Sequence, residues 1–170
     1  MTDLELLLKR WNIPLVEEVP ALKGDVYEFL MNWCAERQNG NLLLVESSKT
    51  LTTDASADVA AWMISIIASN KMISSFPYHI NGIALWARQD TTLPSDILGK
   101  IDSCDLLWIE ELAGGNLTEH QRTLLYAFLL KIKQRDRAII TVSTSVEQLF
   151  SWVGEVISKI LARNFQIVQV

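Results

Sequence analysis

The sequence predicts an α/β fold: a five-stranded, mainly parallel sheet with helices on both faces. Three observations predict it. Short apolar runs stand between polar or turn residues, at Leu42–Val45, Gly82–Ala87, Asp105–Ile109, Ala138–Val142 and Phe165–Val168. Runs of that length and character read as strands buried on both sides. The segments between them carry apolar residues at helical spacing. Strand and helix then alternate after a helical opening over residues 1–40, the order of a parallel sheet joined by crossover helices.

In chain order, Asp3–Trp11 reads as a short helix with Leu4, Leu7 and Leu8 on one face, and Pro14 and Pro20 bracket an irregular stretch. Gly24-Asp25 opens a stronger helix, with Val26, Phe29, Leu30 and Trp33 at i, i+3, i+4 and i+7, which Asn39-Gly40 is expected to stop. The first strand, Leu42–Val45, runs into a Ser- and Thr-rich loop, Glu46–Asp54. Ala55–Ser69 is a helix facing inward through Val59, Met63, Ile66 and Ile67. Lys71–Tyr78 carries no clear pattern, and Gly82–Ala87 is the second strand. Pro94 starts a brief helix ending near Ile101, Asp105–Ile109 is the third strand, and Glu110-Glu111 leads to the turn Ala113-Gly114-Gly115-Asn116. Thr118 caps the longest helix, which runs to about Gln134 with Leu125, Phe128, Leu129 and Ile132 in register. The fourth strand, helices over Val146–Phe150 and Val153–Ala162, and the fifth strand complete the pattern.

The 170 residues, 49% hydrophobic and 21% charged, suffice for one domain with its own core. No linker, repeat or low-complexity segment divides them, so a single domain over 1–170 is expected. The net charge of −5 argues against a chain that grips nucleic acid by itself, because phosphate neutralisation supplies most of that affinity. The charge is uneven. Residues 1–121 hold 8 basic and 17 acidic side chains, a net of −9, whereas residues 122–170 hold 7 and 3, a net of +4. The basic run Lys131, Lys133, Arg135 and Arg137, with Lys159 and Arg163 further on, has two readings: cations placed at a helix C-terminus, or a surface facing phosphate or a partner. Cys34 and Cys104 sit in apolar context and read as structural thiols. Acids near the first residue and no apolar run of about 18 residues lead to the expectation of a cytoplasmic, non-membrane protein.

Ligands of open α/β sheets bind beyond the carboxyl ends of the strands. After the first strand, a phosphate-binding loop needs G-x-x-x-x-G-K-[ST]: glycines let backbone N–H groups converge on phosphate, Lys meets the outer phosphates and the hydroxyl holds magnesium. In register this chain offers Glu46-Ser-Ser-Lys-Thr-Leu-Thr52-Thr53. Both glycines are absent, Thr52 stands at the Lys position, only Thr53 fits, and Glu46 adds negative charge. Moving the register to Lys49-Thr50 puts the first glycine on Leu43, inside the strand. After the third strand, Glu110-Glu111 ends an apolar run as the acids of a Walker B element do, with Glu where the first is usually Asp. After the fourth, Ser143 stands where a sensor residue would meet a terminal phosphate, though hydroxyls there also cap the next helix. His79 and His120 are isolated in sequence, and no nucleophilic triad or metal motif is visible.

Cys104-Asp-Leu-Leu-Trp-Ile-Glu-Glu-Leu112, Leu117-Thr-Glu-His-Gln-Arg122, Arg137-Ala-Ile-Ile-Thr-Val-Ser143 and Gly154-Glu-Val-Ile-Ser-Lys-Ile-Leu161 together resemble the AAA+ domains of the bacterial replication clade. That clade comprises helicase loaders of the DnaC/DnaI type, IstB transposition ATPases, and the initiator DnaA with its relative Hda. The resemblance implies a P-loop NTPase-like three-layer sandwich, with Walker B acids at Glu110 and Glu111 and sensor 1 at Ser143. It also locates what is missing. The P-loop Gly and Lys are absent, Gly154-Glu155-Val156 replaces the G-x-R of the arginine finger, Lys159 stands for an Arg, and the chain stops at Val170 where a helical lid would follow. The implied protein is a pseudo-ATPase that needs neither ATP nor magnesium. It would act on a protein partner such as a replication initiator, helicase or recombination protein, touch DNA only indirectly or weakly, and assemble as a homo- or hetero-oligomer. Two alternatives stay open: an unorthodox ATPase using Lys49, Thr53, Glu110 and Glu111, and a RecA-like recombination-mediator subunit without ATPase activity.

Overall fold

The computed structural model describes residues 1–36, 40–46, 55–70, 77–83 and 95–170. Within them the elements are α1 (Asp3–Arg10), α2 (Gly24–Ala35), β1 (Asn41–Val45), α3 (Ala55–Ser69), β2 (Tyr78–Asn81), α4 (Ser95–Ser103), β3 (Leu107–Glu110), α5 (Glu119–Ile132), β4 (Ala138–Val142), α6 (Val146–Val153), α7 (Glu155–Asn164) and β5 (Phe165–Gln169).

All five strands are parallel, in the order β2-β3-β4-β1-β5. β1 lies between β4 and β5, with Leu43 opposite Ile140 and Ile167. Every residue of β1 and β4 is buried, which is why these strands are apolar throughout rather than alternating. On one face Leu42, Leu44, Trp108 and Ile139 pack with residues of α1, α2 and α3. On the other, Leu43, Val45, Ile109, Ile140 and Val142 pack with residues of α4–α7. The strand order accounts for this split. From β1 the chain crosses to the far edge at β2 and then returns through β3 and β4. Right-handed crossovers in opposite directions must lie on opposite faces. The helices after β1 and β4 therefore diverge, leaving a crevice between the carboxyl ends of those two strands.

Buried polar groups fix the frame. Asn41 starts β1 with its side-chain oxygen accepting from Ala138 N–H at 2.9 Å and its amide reaching the Ile132 carbonyl at 3.4 Å. Trp108, fully buried, donates its indole N–H to Thr141 Oγ1 at 3.1 Å. Capping boxes start α1 at Thr2 with Glu5 and α5 at Thr118 with Gln121.

The structure corrects several expected boundaries. The second strand is Tyr78–Asn81, not Gly82–Ala87. His79 and Asn81 break the apolar run expected of a buried strand, and Gly82, at φ +68°, turns the chain out of the sheet. Residues 84–87 lie outside the described ones. α2 ends at Ala35, short of Asn39-Gly40, because Arg137 donates to the carbonyls of Cys34 and Glu36 at its end. α3, with 15 residues, exceeds α5, with 14. α6 and α7 meet at Gly154, whose φ of +88° and ψ of 172° favour glycine.

Candidate functional site

At the carboxyl ends of β1, β3 and β4 stand Glu46, Glu110 with Glu111, and Ser143, in that order. Glu46 follows β1, and its backbone N–H donates to the Val142 carbonyl at 3.3 Å. Ser56, fully buried in the first turn of α3, donates to the same carbonyl at 3.2 Å and ties that helix to β4. Lys49, Thr52 and Thr53 lie outside the described residues.

The two acids after β3 diverge. Glu110 is the last residue of the strand, on the same face as Trp108, because side chains alternate. Its Oε2 lies 2.9 Å from His79 Nε2. Glu111 adopts a left-handed backbone, φ +62°, which bends it toward β4. Its N–H donates to the Thr141 carbonyl and its Oε1 accepts from Ser143 N–H, both at 2.9 Å. Ser143 thus meets Glu111 through its backbone. The hydroxyl that caps the following helix belongs to Ser145, which accepts from Gln148 N–H at 3.2 Å.

His79 is the residue that sequence reading missed. Its ring stacks on Trp108 with centroids 4.1 Å apart and an interplanar angle of 20°, and its Nδ1 lies 3.0 Å from the Asn12 carbonyl oxygen. The alternation of β2 and its pairing of His79 with Trp108 bring it there. No local motif signals a partner 31 residues away. His120, by contrast, is exposed, as expected.

Beside the crevice, a cleft of about 340 Å³ opens between the segment from Val16 to Leu22 and the start of α3. Val19, Asp58, Val59 and Val170 line it, and Glu18 adds a second carboxylate.

The basic residues do not form one patch. Arg137 faces inward, 5% exposed, with its guanidinium 5.4 Å from the Trp33 ring and bonded to the end of α2. That corrects its place among outward-facing cations. Arg135 donates to the carbonyls of Ile101 and Cys104 at the end of α4. Carbonyls at helix C-termini carry partial negative charge, so both arginines serve the first of the two readings, on helices other than their own. Lys131 pairs with Asp102 at 3.1 Å and Lys159 with Glu155 at 2.9 Å. Lys133 and Arg163 are exposed.

Both cysteines are free and buried. Burial pushes the Cys34 thiol up to about 12, with Arg137 opposing the rise. It raises Cys104 too, with Arg135 opposing. Neither is poised as a nucleophile, since the thiolate is the reactive form.

In the segment Gly154-Glu155-Val156, Gly154 packs against Arg122, whose guanidinium carbon lies 3.3 Å from where a Cβ would stand. Arg122 Nη2 reaches the Trp152 carbonyl at 3.4 Å. Val156, where the resemblance expects an arginine, is exposed.

Five parallel strands in this order, helices on both faces and a crevice beyond β1 and β4 define a P-loop NTPase-like fold of the AAA+ kind. Among solved structures it is similar to the DnaC helicase loader, with a TM-score of 0.70 and 15% identity over 95% of this chain and 98% of that one. It is similar also to DnaI, with a TM-score of 0.69 and 12% identity over 96% of this chain and 90% of that one. At such identities the likeness is one of fold. No protein-family model and no curated protein sequence matches the chain.

Proposed function

We propose that this chain is a catalytically inactive AAA+-like protein that acts by protein–protein contact in DNA replication or recombination, as a loader-like or initiator-like adaptor, regulator or subunit. The observation that carries the reading is the engagement of both acids after β3. Glu110 is held by His79, and Glu111 by the Ser143 backbone N–H. A magnesium nucleotide needs carboxylates directed at metal and water, with N–H groups and cations directed at phosphate. Here Glu46 follows β1, Asp58 occupies the first turn of α3 and Glu18 lines the adjoining cleft. Like charges repel triphosphate, and Asp58 already complements the helix dipole that would otherwise favour an anion. These residues do not fit a magnesium nucleotide, so neither ATP nor magnesium is expected as a cofactor.

The fold shared with a helicase loader supports the replication setting. The net acidity suits a basic protein surface better than DNA. No helix among the described residues is long and apolar enough to cross a membrane. The cytoplasm is the compartment we propose.

Affinity purification of the chain from its host, with identification of what accompanies it, tests the reading. An initiator, helicase or recombination protein is expected to co-purify after nuclease treatment. Recovery of partners only while nucleic acid is intact contradicts it.

A further inference from the structure

One side chain joins three parts of the molecule that sequence separates. His79 lies on edge strand β2 with its side chain 5% exposed, stacked on the buried indole of Trp108. Its two nitrogens face two different elements. Nδ1 meets the Asn12 carbonyl at 3.0 Å, and Nε2 meets Glu110 Oε2 at 2.9 Å. A carbonyl can only accept, so Nδ1 donates to Asn12 and the opposite nitrogen is directed at the carboxylate.

Asn12 is shaped for this contact. It takes φ +57°, one of two non-glycine residues with positive φ among the described ones, the other being Glu111. The turn is closed by Asn12 N–H to the Lys9 carbonyl at 3.1 Å and Ile13 N–H to the Leu8 carbonyl at 2.9 Å. Ile13 is buried, and from it the chain runs as a strap whose residues from Val16 to Leu22 form one wall of the cleft beside α3.

We propose that His79 is a tether. Through Nδ1 it holds the root of the amino-terminal strap, and through Nε2 it holds Glu110, so the strap is kept closed along the cleft by the same residue that keeps the carboxylate engaged. The strap cannot leave the sheet without breaking a contact that reaches the crevice, and a partner that draws Glu110 away loosens the strap. The meaning of this for Glu110 rests on the reading of the site as inactive. The tether itself does not.

Hydrogen exchange on the full chain, without nucleotide, tests it. His79→Phe keeps an aromatic ring against Trp108 and removes both ring nitrogens. Exchange at the Asn12 and Ile13 amides, which close the turn, is expected to quicken about fivefold or more, the loss of the hydrogen bond to the Asn12 carbonyl, while α5 and β4 exchange as before. Unchanged exchange at Asn12 and Ile13 in His79→Phe overturns the proposal. So does acceleration seen in His79→Ala but not in His79→Phe, since packing on Trp108 would then hold the strap. If His79→Phe does not fold, Glu110→Ala cuts one arm and is read in the same way. About threefold faster exchange at Asn12 and Ile13 supports the tether, and wild-type exchange there overturns it. The two readings fail separately. ATP turnover by the wild-type chain strikes the inactive site and leaves the tether, whereas an unaltered strap in His79→Phe strikes the tether alone.

Discussion

Replacing Arg137 by Met separates a structural arginine from a partner-facing one. The side chain is 5% exposed, lies 5.4 Å from the Trp33 ring, and donates to the Cys34 and Glu36 carbonyls. Hydrogen bonds from a charged donor contribute about 1.5–3 kcal/mol each, and the contact with Trp33 about 0.5–2 kcal/mol more. Met retains the apolar stem but leaves the carbonyls at the end of α2 without this donor. Against this stands the relief of a buried cation, itself several kcal/mol. A net loss of about 2–4 kcal/mol follows, or about 5–12 °C in Tm for a chain of this size. Urea unfolding followed by tryptophan fluorescence measures it, with exposed Lys133→Met as the control, expected within about 0.5 kcal/mol of wild type. Equal stability of Arg137→Met and wild type would refute the placement of this arginine.

Other substitutions probe the frame. Gly154→Ala is expected to cost about 1–3 kcal/mol, because φ +88° with ψ 172° is strained for any residue with a Cβ and Arg122 must also shift; thermal unfolding reads it. Asn41→Ala leaves the Ala138 N–H and the Ile132 carbonyl without their side-chain partner and is expected to cost about 2–3 kcal/mol in chemical denaturation. Cys34, held up to about 12, is expected to resist alkylation at neutral pH in the folded chain and to react once urea unfolds it. Mass spectrometry of the modified peptide follows the reaction. Lys159→Gln is expected to return Glu155, which its lysine neighbour holds below the ordinary carboxylate range, toward that range in an NMR titration. Because the folded-state value is depressed, whatever stability this pair gives is present at neutral pH and is lost as the pH falls through the Glu155 titration.

The elements legible in the sequence are those with a local cause. β1 and β4 are apolar at every buried position, α3 and α5 carry unbroken helical spacing, and Thr118 announces its capping box. β2 was hidden because its edge position admits His79 and Asn81, so it does not read as a fully buried strand. The end of α2 is set by Arg137, roughly a hundred residues away, and no helix-stop signal near Ala35 carries that information. Likewise Lys131, Arg135 and Arg137 stand together in sequence but engage Asp102, the end of α4 and the end of α2 respectively. Of the site, the positions of Glu110, Glu111 and Ser143 followed from strand ends. What holds the two acids did not, because His79 arrives through strand pairing and Glu111 turns on a left-handed residue.

Calorimetric titration of the purified chain with ATP and magnesium bears most directly on the proposed inactivity of the site. No saturable, magnesium-dependent heat is expected. Tight magnesium-dependent binding, with ATP turnover that Glu111→Gln abolishes, would contradict the inactive reading and leave an ATPase with an unorthodox loop in its place.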